Sequence, residues 1–292
     1  MPSLISQLVQ KHKISPPGWL SNNICYETVM GSHAYGMSNE DSDYDIYGFA
    51  IPPKDYIFPN NLIKGFDPEI EFEQYQQHHI IDEDKDKEYD VTVYNIVNYF
   101  KLLMGNNPNI IDSIFTPQNC VVYINQIGNL VRENRKLFLN KKSWFTFKGY
   151  AYSQYDKIMN KKPEGKRVAL VEKFGYDVKY ASHLVRLLNE IEMILVEYDL
   201  DLQRNNDQLK AIRRGEWKLE DLEKYFHEKA RILEKQYAES KLPDKPDKEK
   251  IRELLIQCLE HHYGSLDKFV DKTSIAERKL REIAEIVNNG TF

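Results

Sequence analysis

Apolar positions change their spacing along this chain, and the change separates two kinds of predicted element. Residues 3–12 place Leu4, Ile5, Leu8 and Val9 at helical intervals until a Ser-Pro-Pro-Gly-Trp stretch from Ser15 breaks the pattern, which predicts a short leading helix. From residue 23 the order is a run of strand formers, a Gly-Ser turn at Gly31 and Ser32, and a second run through Tyr44 and Ile46, so strand, turn, strand is expected. Residues 69–76 and 89–94 suit further strands, whereas 94–105 and 109–115 carry helical periodicity. Beyond about residue 124 the signal is long amphipathic stretches at 124–138, 142–160, 177–198, 219–238 and 249–288. The expected class is α+β, with an α+β domain over 1–140 and a helical domain over 141–292. Residues 160–167 and 242–250 break helices with Pro or Gly and read as exposed loops.

Length and composition agree with that division. A chain of 292 residues leans toward two packed domains, and 41% hydrophobic with 29% charged residues and no low-complexity tract predicts that most of it folds. A net charge of -5 excludes a general polyanion coat, so any nucleic-acid contact must be local. Cys25, Cys120 and Cys258 lie far apart without metal-ligand spacing, as reduced thiols do. The first residues are too few and too polar for a signal peptide, and no run reaches membrane-spanning length, so a soluble cytoplasmic protein is expected.

Chemistry concentrates between residues 29 and 49. Asp43 and Asp45 stand at i and i+2 in a strand-like run, so both project from one face. Two adjacent carboxylates repel and shift each other's pKa unless a cation separates them, and hard oxygen donors suit Mg2+ or Mn2+. The Gly31-Ser32 turn offers backbone N–H groups and a hydroxyl to a phosphate with no bulky side chain in the way.

Order and spacing, GS then about ten residues then DxD with apolar flanks, resemble the signature of the DNA polymerase beta nucleotidyltransferase superfamily. The longer match, GSHAYG followed by SDYDIYGF, is similar to the branch encoded near bacterial RNA-repair genes and in large phage genomes, and continues through GYDVKYASHLVRLL and IRRGEW. The resemblance implies a mixed-sheet catalytic domain followed by helices, and transfer of a nucleoside monophosphate from an NTP. It also implies a third carboxylate on a later strand. Asp90 is the candidate, with Asp82, Glu83, Asp84, Asp86 and Glu88 as neighbours and the 82–88 cluster read as a solvated loop. In that scheme Asp43, Asp45 and Asp90 hold two Mg2+ (or Mn2+) ions.

Several residues carry two readings. Lys179, His183 and Arg186 fall at i, i+4 and i+7, either a solvated polar face with Glu190 completing an ion pair or donors to a triphosphate or acceptor across the cleft. Lys161, Lys162, Lys166 and Arg167 form the densest basic loop, a contact for RNA phosphates or a flexible charged loop. The tandem pairs His78-His79 and His261-His262 lack zinc spacing and read as surface residues, and the many aromatics read as core. The expected function is therefore Mg2+-dependent transfer of a nucleoside monophosphate from an NTP to an acceptor hydroxyl, RNA among the candidates, with release of pyrophosphate. Alternatives are a non-catalytic nucleotide-binding or antitoxin-like module, which predicts a degraded acidic trio, and a metal-dependent phosphodiesterase. The last needs a His or Lys base, for which His33 is the nearby candidate.

Overall fold

Five short segments rich in β-branched and aromatic residues assemble one mixed sheet, and the helices of the second half pack against one of its faces. The structure, a computed structural model, describes residues 2–40, 42–58 and 71–265 and the positions 280, 283 and 284. In chain order these hold α1 (Leu4–Gln10), β1 (Ile24–Val29), α2 (Gly31–Ala34), β2 (Tyr44–Ala50), α3 (Lys54–Ile57), β3 (Gln74–Asp82), β4 (Lys87–Asn95), α4 (Ile96–Met104), α5 (Pro108–Phe115) and β5 (Val121–Ile124). There follow α6 (Gln126–Glu133), α7 (Lys142–Asn160), α8 (Lys166–Phe174), α9 (Val178–Glu197), α10 (Asn206–Arg213), α11 (Leu219–Glu239) and α12 (Lys248–Tyr263). The class is α+β. No helix among the described residues is long and apolar enough to cross a membrane.

The strand order is β3-β4-β2-β1-β5, and β2 with β4 is a parallel pair while the other neighbours run antiparallel. Alternation sorts the side chains between two cores. Ile24, Ile46, Ala50, Tyr89, Val91 and Val93 meet Leu4, Ile5 and Leu8 of α1 on one face. On the other, Tyr26 and Phe49 join a larger core that includes Tyr99, Phe147, Leu184 and Leu259. Asp45 and Asp90 are one residue out of step with Ile46 and Val91, so they turn toward the helices. The leading helix is fastened by a buried acid: Glu27 of β1 accepts the Leu4 and Ile5 N–H groups at 2.6 and 3.0 Å, two of the amides a helix start leaves unpaired.

Three expectations change. The third strand begins at Gln74 rather than 69 and runs on through His78 and His79, because as an edge strand it carries mostly polar, exposed side chains that mask its periodicity; residues 69 and 70 lie outside the described residues. The acidic stretch expected to be a loop is a hairpin turn whose first member, Asp82, is buried and bonded to Lys11 at 2.7 Å. The basic loop is shorter than expected, since Lys166 and Arg167 open α8 behind Gly165. The helix expected over 249–288 is α12 as far as Tyr263, and its later part falls beyond residue 265, outside the continuous described residues. Cys25, Cys120 and Cys258 are buried free thiols.

Candidate active site

Parallel register sets Asp45 directly beside Asp90, as neighbouring strands do at roughly 4.8 Å. Asp43 lies exposed just ahead of β2, near enough for its charge to act on Asp45. The charges register on one another: the Asp45 carboxyl is pushed up to about 6 by burial and then by Asp90 and Asp43, against a smaller opposite effect of His78. Such a cluster is short of positive charge. Of the acids considered beside Asp90, Asp82 and Asp84 are paired with Lys11 and Glu83 with Lys13, while Glu88 shares His79 with Asp90.

The Gly-Ser turn closes on this cluster. Met30 N–H donates to the Asp45 carbonyl at 2.6 Å, which fixes the end of β1 against the start of β2. Gly31 then adopts φ +64°, and a Cβ there would come within 2.1 Å of Asp45 Oδ2. Only glycine tolerates both the left-handed backbone and the contact. Gly31 and Ser32 open α2, leaving Asp45 uncovered by any side chain from position 31.

On α9, Lys179 is near enough to Asp43 to feel its charge, His183 sits among cations, and Arg186 is withdrawn into the core. Lys179 is exposed; burial, Arg213 and Arg167 lower its pKa, with Asp177 and then Asp43 pulling it back. His183 is half-buried and held neutral, its pKa brought down to about 3 by burial and the charges of Arg186, Arg213, Arg167 and Lys157. Arg186 corrects the expected polar stripe. Its side chain is only 4% exposed, and it donates to Asp112 at 2.5 Å and to both oxygens of Glu190 at 2.9 and 3.0 Å. The expected ion pair with Glu190 therefore exists, but inside the protein. Tyr35, at the end of α2, donates to Asp112 at 2.7 Å and lies under the guanidinium at 4.1 Å, so the triad props the Gly-Ser turn from behind. Two carboxylates facing one guanidinium leave an excess negative charge in the core, and burial accordingly raises the pKa of both Asp112 and Glu190.

Residues 4–257 match the sequence model of RlaP, the RNA repair pathway DNA polymerase beta family. The chain belongs to this family. Membership places it among the polymerase-beta-like nucleotidyltransferases. It is also 24% identical over 217 residues to the uncharacterized 38.9 kDa protein in the nrdC-mobD intergenic region of Enterobacteria phage T4. That match covers 73% of this chain and 54% of the phage protein, so the chain spans about half the length of that relative. A nucleotidyltransferase-like protein from Exiguobacterium sibiricum 255-15 aligns over 94% of this chain and 83% of its own at 8% identity, with a TM-score of 0.28, too low to carry an argument.

The neighbours of Asp90 that sequence reasoning passed over are His78 and His79. They sit at an irregularity of β3, between Gln77 and Ile80, with His79 at φ 55°. The displaced strand aims the His79 N–H at Asp90 Oδ1 (2.8 Å) and His78 Nδ1 at Asp90 Oδ2 (3.2 Å). As surface residues they were read correctly, His79 being 83% exposed, but they border Asp90. Two adjacent histidines at the end of a polar run, just before Ile80 and Ile81, were the available signal. His33 is in the turn but faces Tyr44, its ring stacked at 4.3 Å.

Proposed function

We propose that this chain transfers a nucleoside monophosphate from an NTP to an acceptor hydroxyl, with RNA as the acceptor class and pyrophosphate as the other product. The observation that carries the reading is the juxtaposition of Asp45 with Asp90 across the parallel pair, with the Asp43 charge acting on Asp45 and Gly31 held against it. Three hard oxygen donors, with the Asp45 pKa raised by burial and then by its two neighbours, fit a divalent cation such as Mg2+. Among the described residues no three such ligands already surround one point, and Asp90 must exchange His78 for the ion. Asp43, Asp45 and Asp90 are the residues that would hold it, two ions in the two-metal form. When bound, such ions lower the pKa of an attacking hydroxyl and neutralise the leaving oxygens.

The chain's own residues do the rest. Gly31 and Ser32 present backbone N–H groups and a hydroxyl where a phosphate can approach without a side chain between. Lys179 supplies a cation within reach of the Asp43 charge, and His183, neutral at ordinary pH, a hydrogen bond rather than a charge. Arg186 holds Tyr35 and the turn in place instead of touching nucleotide. Support for RNA is the cavity of about 220 Å³ between α7, α8 and α9, walled by Lys157, Lys161, Lys162, Arg167 and Tyr180.

A hydrolytic reading draws on one observation, the approach of His78 to Asp90, which puts a histidine where a phosphodiesterase needs one. One experiment separates the two: the protein with each α-labelled NTP, Mg2+ and cell extract, fractionated into polymer, protein and small molecules. Label in an RNA fraction, absent with Asp45→Asn, is the expected result. Free nucleoside monophosphate alone would favour hydrolysis, and label in protein would move the acceptor class.

A further inference from the structure

Beside α2, at the end of the sheet, lies a second concavity of about 390 Å³ whose chemistry differs from everything around the carboxylates. Among the described residues no Lys, Arg, Asp or Glu lines it, though Lys87 Nζ stands 4.1 Å from the centre of the Tyr44 ring. Its aromatic wall is the stacked pair His33 and Tyr44, ring centroids 4.3 Å apart and 25° from parallel. Facing them are a hydroxyl and two carboxamides, Ser38, Asn119 and Gln203. Resting on the reading of the chain as a nucleotidyltransferase, we propose that this cleft receives a nucleobase.

Three features converge on that class of ligand. A cavity whose described lining carries no Lys, Arg, Asp or Glu is not built for phosphate, whereas a flat ring with donors and acceptors on its edge needs an aromatic surface and groups able to do both, which carboxamides are. Gln203 is held in place by its backbone: its N–H donates to Asp201 Oδ1 at 3.0 Å and its carbonyl accepts from Asn206 N–H at 3.1 Å. Its side chain lies across from Gly36, where a Cβ would stand 3.6 Å from the Gln203 amide carbon and 3.1 Å from Asn206 Nδ2, so the absence of a side chain at 36 leaves the amide its room. The wall is also tied to the chemistry by the chain itself. His33 follows Ser32, and Tyr44 stands between Asp43 and Asp45, so a ligand reaching round the start of β2 touches both. His33 Nε2 is buried without a hydrogen-bond partner.

The base has two possible sources, the NTP and the terminal nucleotide of the acceptor, and titration separates them. Wild type, Gln203→Ala and Asn119→Ala are titrated with the four ribonucleosides, the four NTPs, inorganic tripolyphosphate and a short oligoribonucleotide, with circular dichroism to check folding. Each variant is expected to weaken at least one ribonucleoside about tenfold more than another, as the loss of a paired base edge does, and to leave tripolyphosphate binding unchanged. The same base-dependent loss among NTPs assigns the pocket to the incoming nucleotide, and a base-dependent loss among ribonucleosides that recurs with the oligoribonucleotide but not with the NTPs assigns it to the acceptor. Equal affinities of variants and wild type for every ribonucleoside, or equal weakening of all ligands including tripolyphosphate, overturns the proposal. Because ribonucleosides bind without being transferred, this outcome is independent of turnover: transfer with base preference untouched in both variants removes the pocket and keeps the enzyme.

Discussion

At the residue scale Gly31 is the most exposed to test, because its left-handed φ of +64° and its contact with Asp45 make two demands at once. Gly31→Ala should cost about 1–2 kcal/mol from the backbone alone, and by pressing on Asp45 Oδ2 should remove nearly all nucleotide transfer; a thermal melt and a label-transfer assay on the same preparation check both. Retained activity would show that the turn and the carboxylate move apart without consequence. Asp45→Asn should stay folded and lose transfer. Two other single groups give stability opposite slopes with pH. Glu27 is raised from an ordinary 4.5 to about 7 by burial, so the folded protein binds that proton more tightly than the unfolded chain; its contribution is complete below about 4.5 and lost as pH rises toward 7. His183 is depressed from 6.5 to about 3, so its contribution is complete above about 6.5 and lost as pH falls toward 3. Urea unfolding from pH 4 to 8 should therefore show the fall toward 7 vanish in Glu27→Gln and the fall toward acid vanish in His183→Gln. Curves that remain parallel to wild type would contradict both assignments.

At the scale of elements, α9 shows what periodicity reports and what it hides. Its boundaries, and those of α7 and α11, follow closely from apolar residues at helical spacing, and the Asp177 cap accepts the Lys179 and Tyr180 N–H groups at 2.9 and 3.1 Å as an Asp before such a run should. Spacing alone also put Lys179 and Arg186 on a common polar face, yet one is exposed and the other buried. A helix in the middle of a bundle, touched by α7, α10 and α11, has almost no solvent face, and Arg186 enters the core because Asp112 on α5, distant in sequence, waits there. Arg186→Ala should thus destabilise by roughly 3–5 kcal/mol, since it strands two buried acids, whereas Lys179→Ala should stay within about 0.5 kcal/mol. Chemical denaturation distinguishes these, and similar losses for the two variants would return Arg186 to the surface. The strand β3 was misplaced for the converse reason: an edge strand needs little apolar patterning, so Gln74 to His79 gave no alternation to read.

At the scale of the whole molecule, opposite charges meet at Lys179, which feels the cations Arg213 and Arg167 and, more weakly, Asp43 just ahead of β2, within a chain of net charge -5. Of the cations near the basic cavity, Arg167 is already engaged, bonded to Asp177 at 2.6 Å and stacked on Tyr180 at 3.9 Å, so reversing it would disturb α9 as well as any RNA. Lys161 and Lys162 are the cleaner pair. Their double reversal to Glu should flatten the salt dependence of single-stranded RNA binding by about 1.4 units, from roughly 0.7 per phosphate contact, with NTP binding kept; an unchanged slope would remove the loop from the interface. The DxD run and its turn can be read because they are contiguous, and the resemblance pointed to Asp90, which the fold sets beside Asp45. The partnership of Asp90 with His78, the triad behind Tyr35 and the pocket of Gln203 could not be read, since each joins residues that only the tertiary fold brings together. Parallel pairing of β2 and β4 has a temporal side as well. Asp45 and Asp90 become neighbours only after the intervening chain has crossed over and β4 has docked, a non-local event that comes late in folding. A nascent polypeptide that has emerged from the ribosome as far as β2 carries the DxD pair but not its neighbour, so on this reading the cell acquires the catalyst only when synthesis has passed β4 and never as a half-made chain loose among its nucleotides.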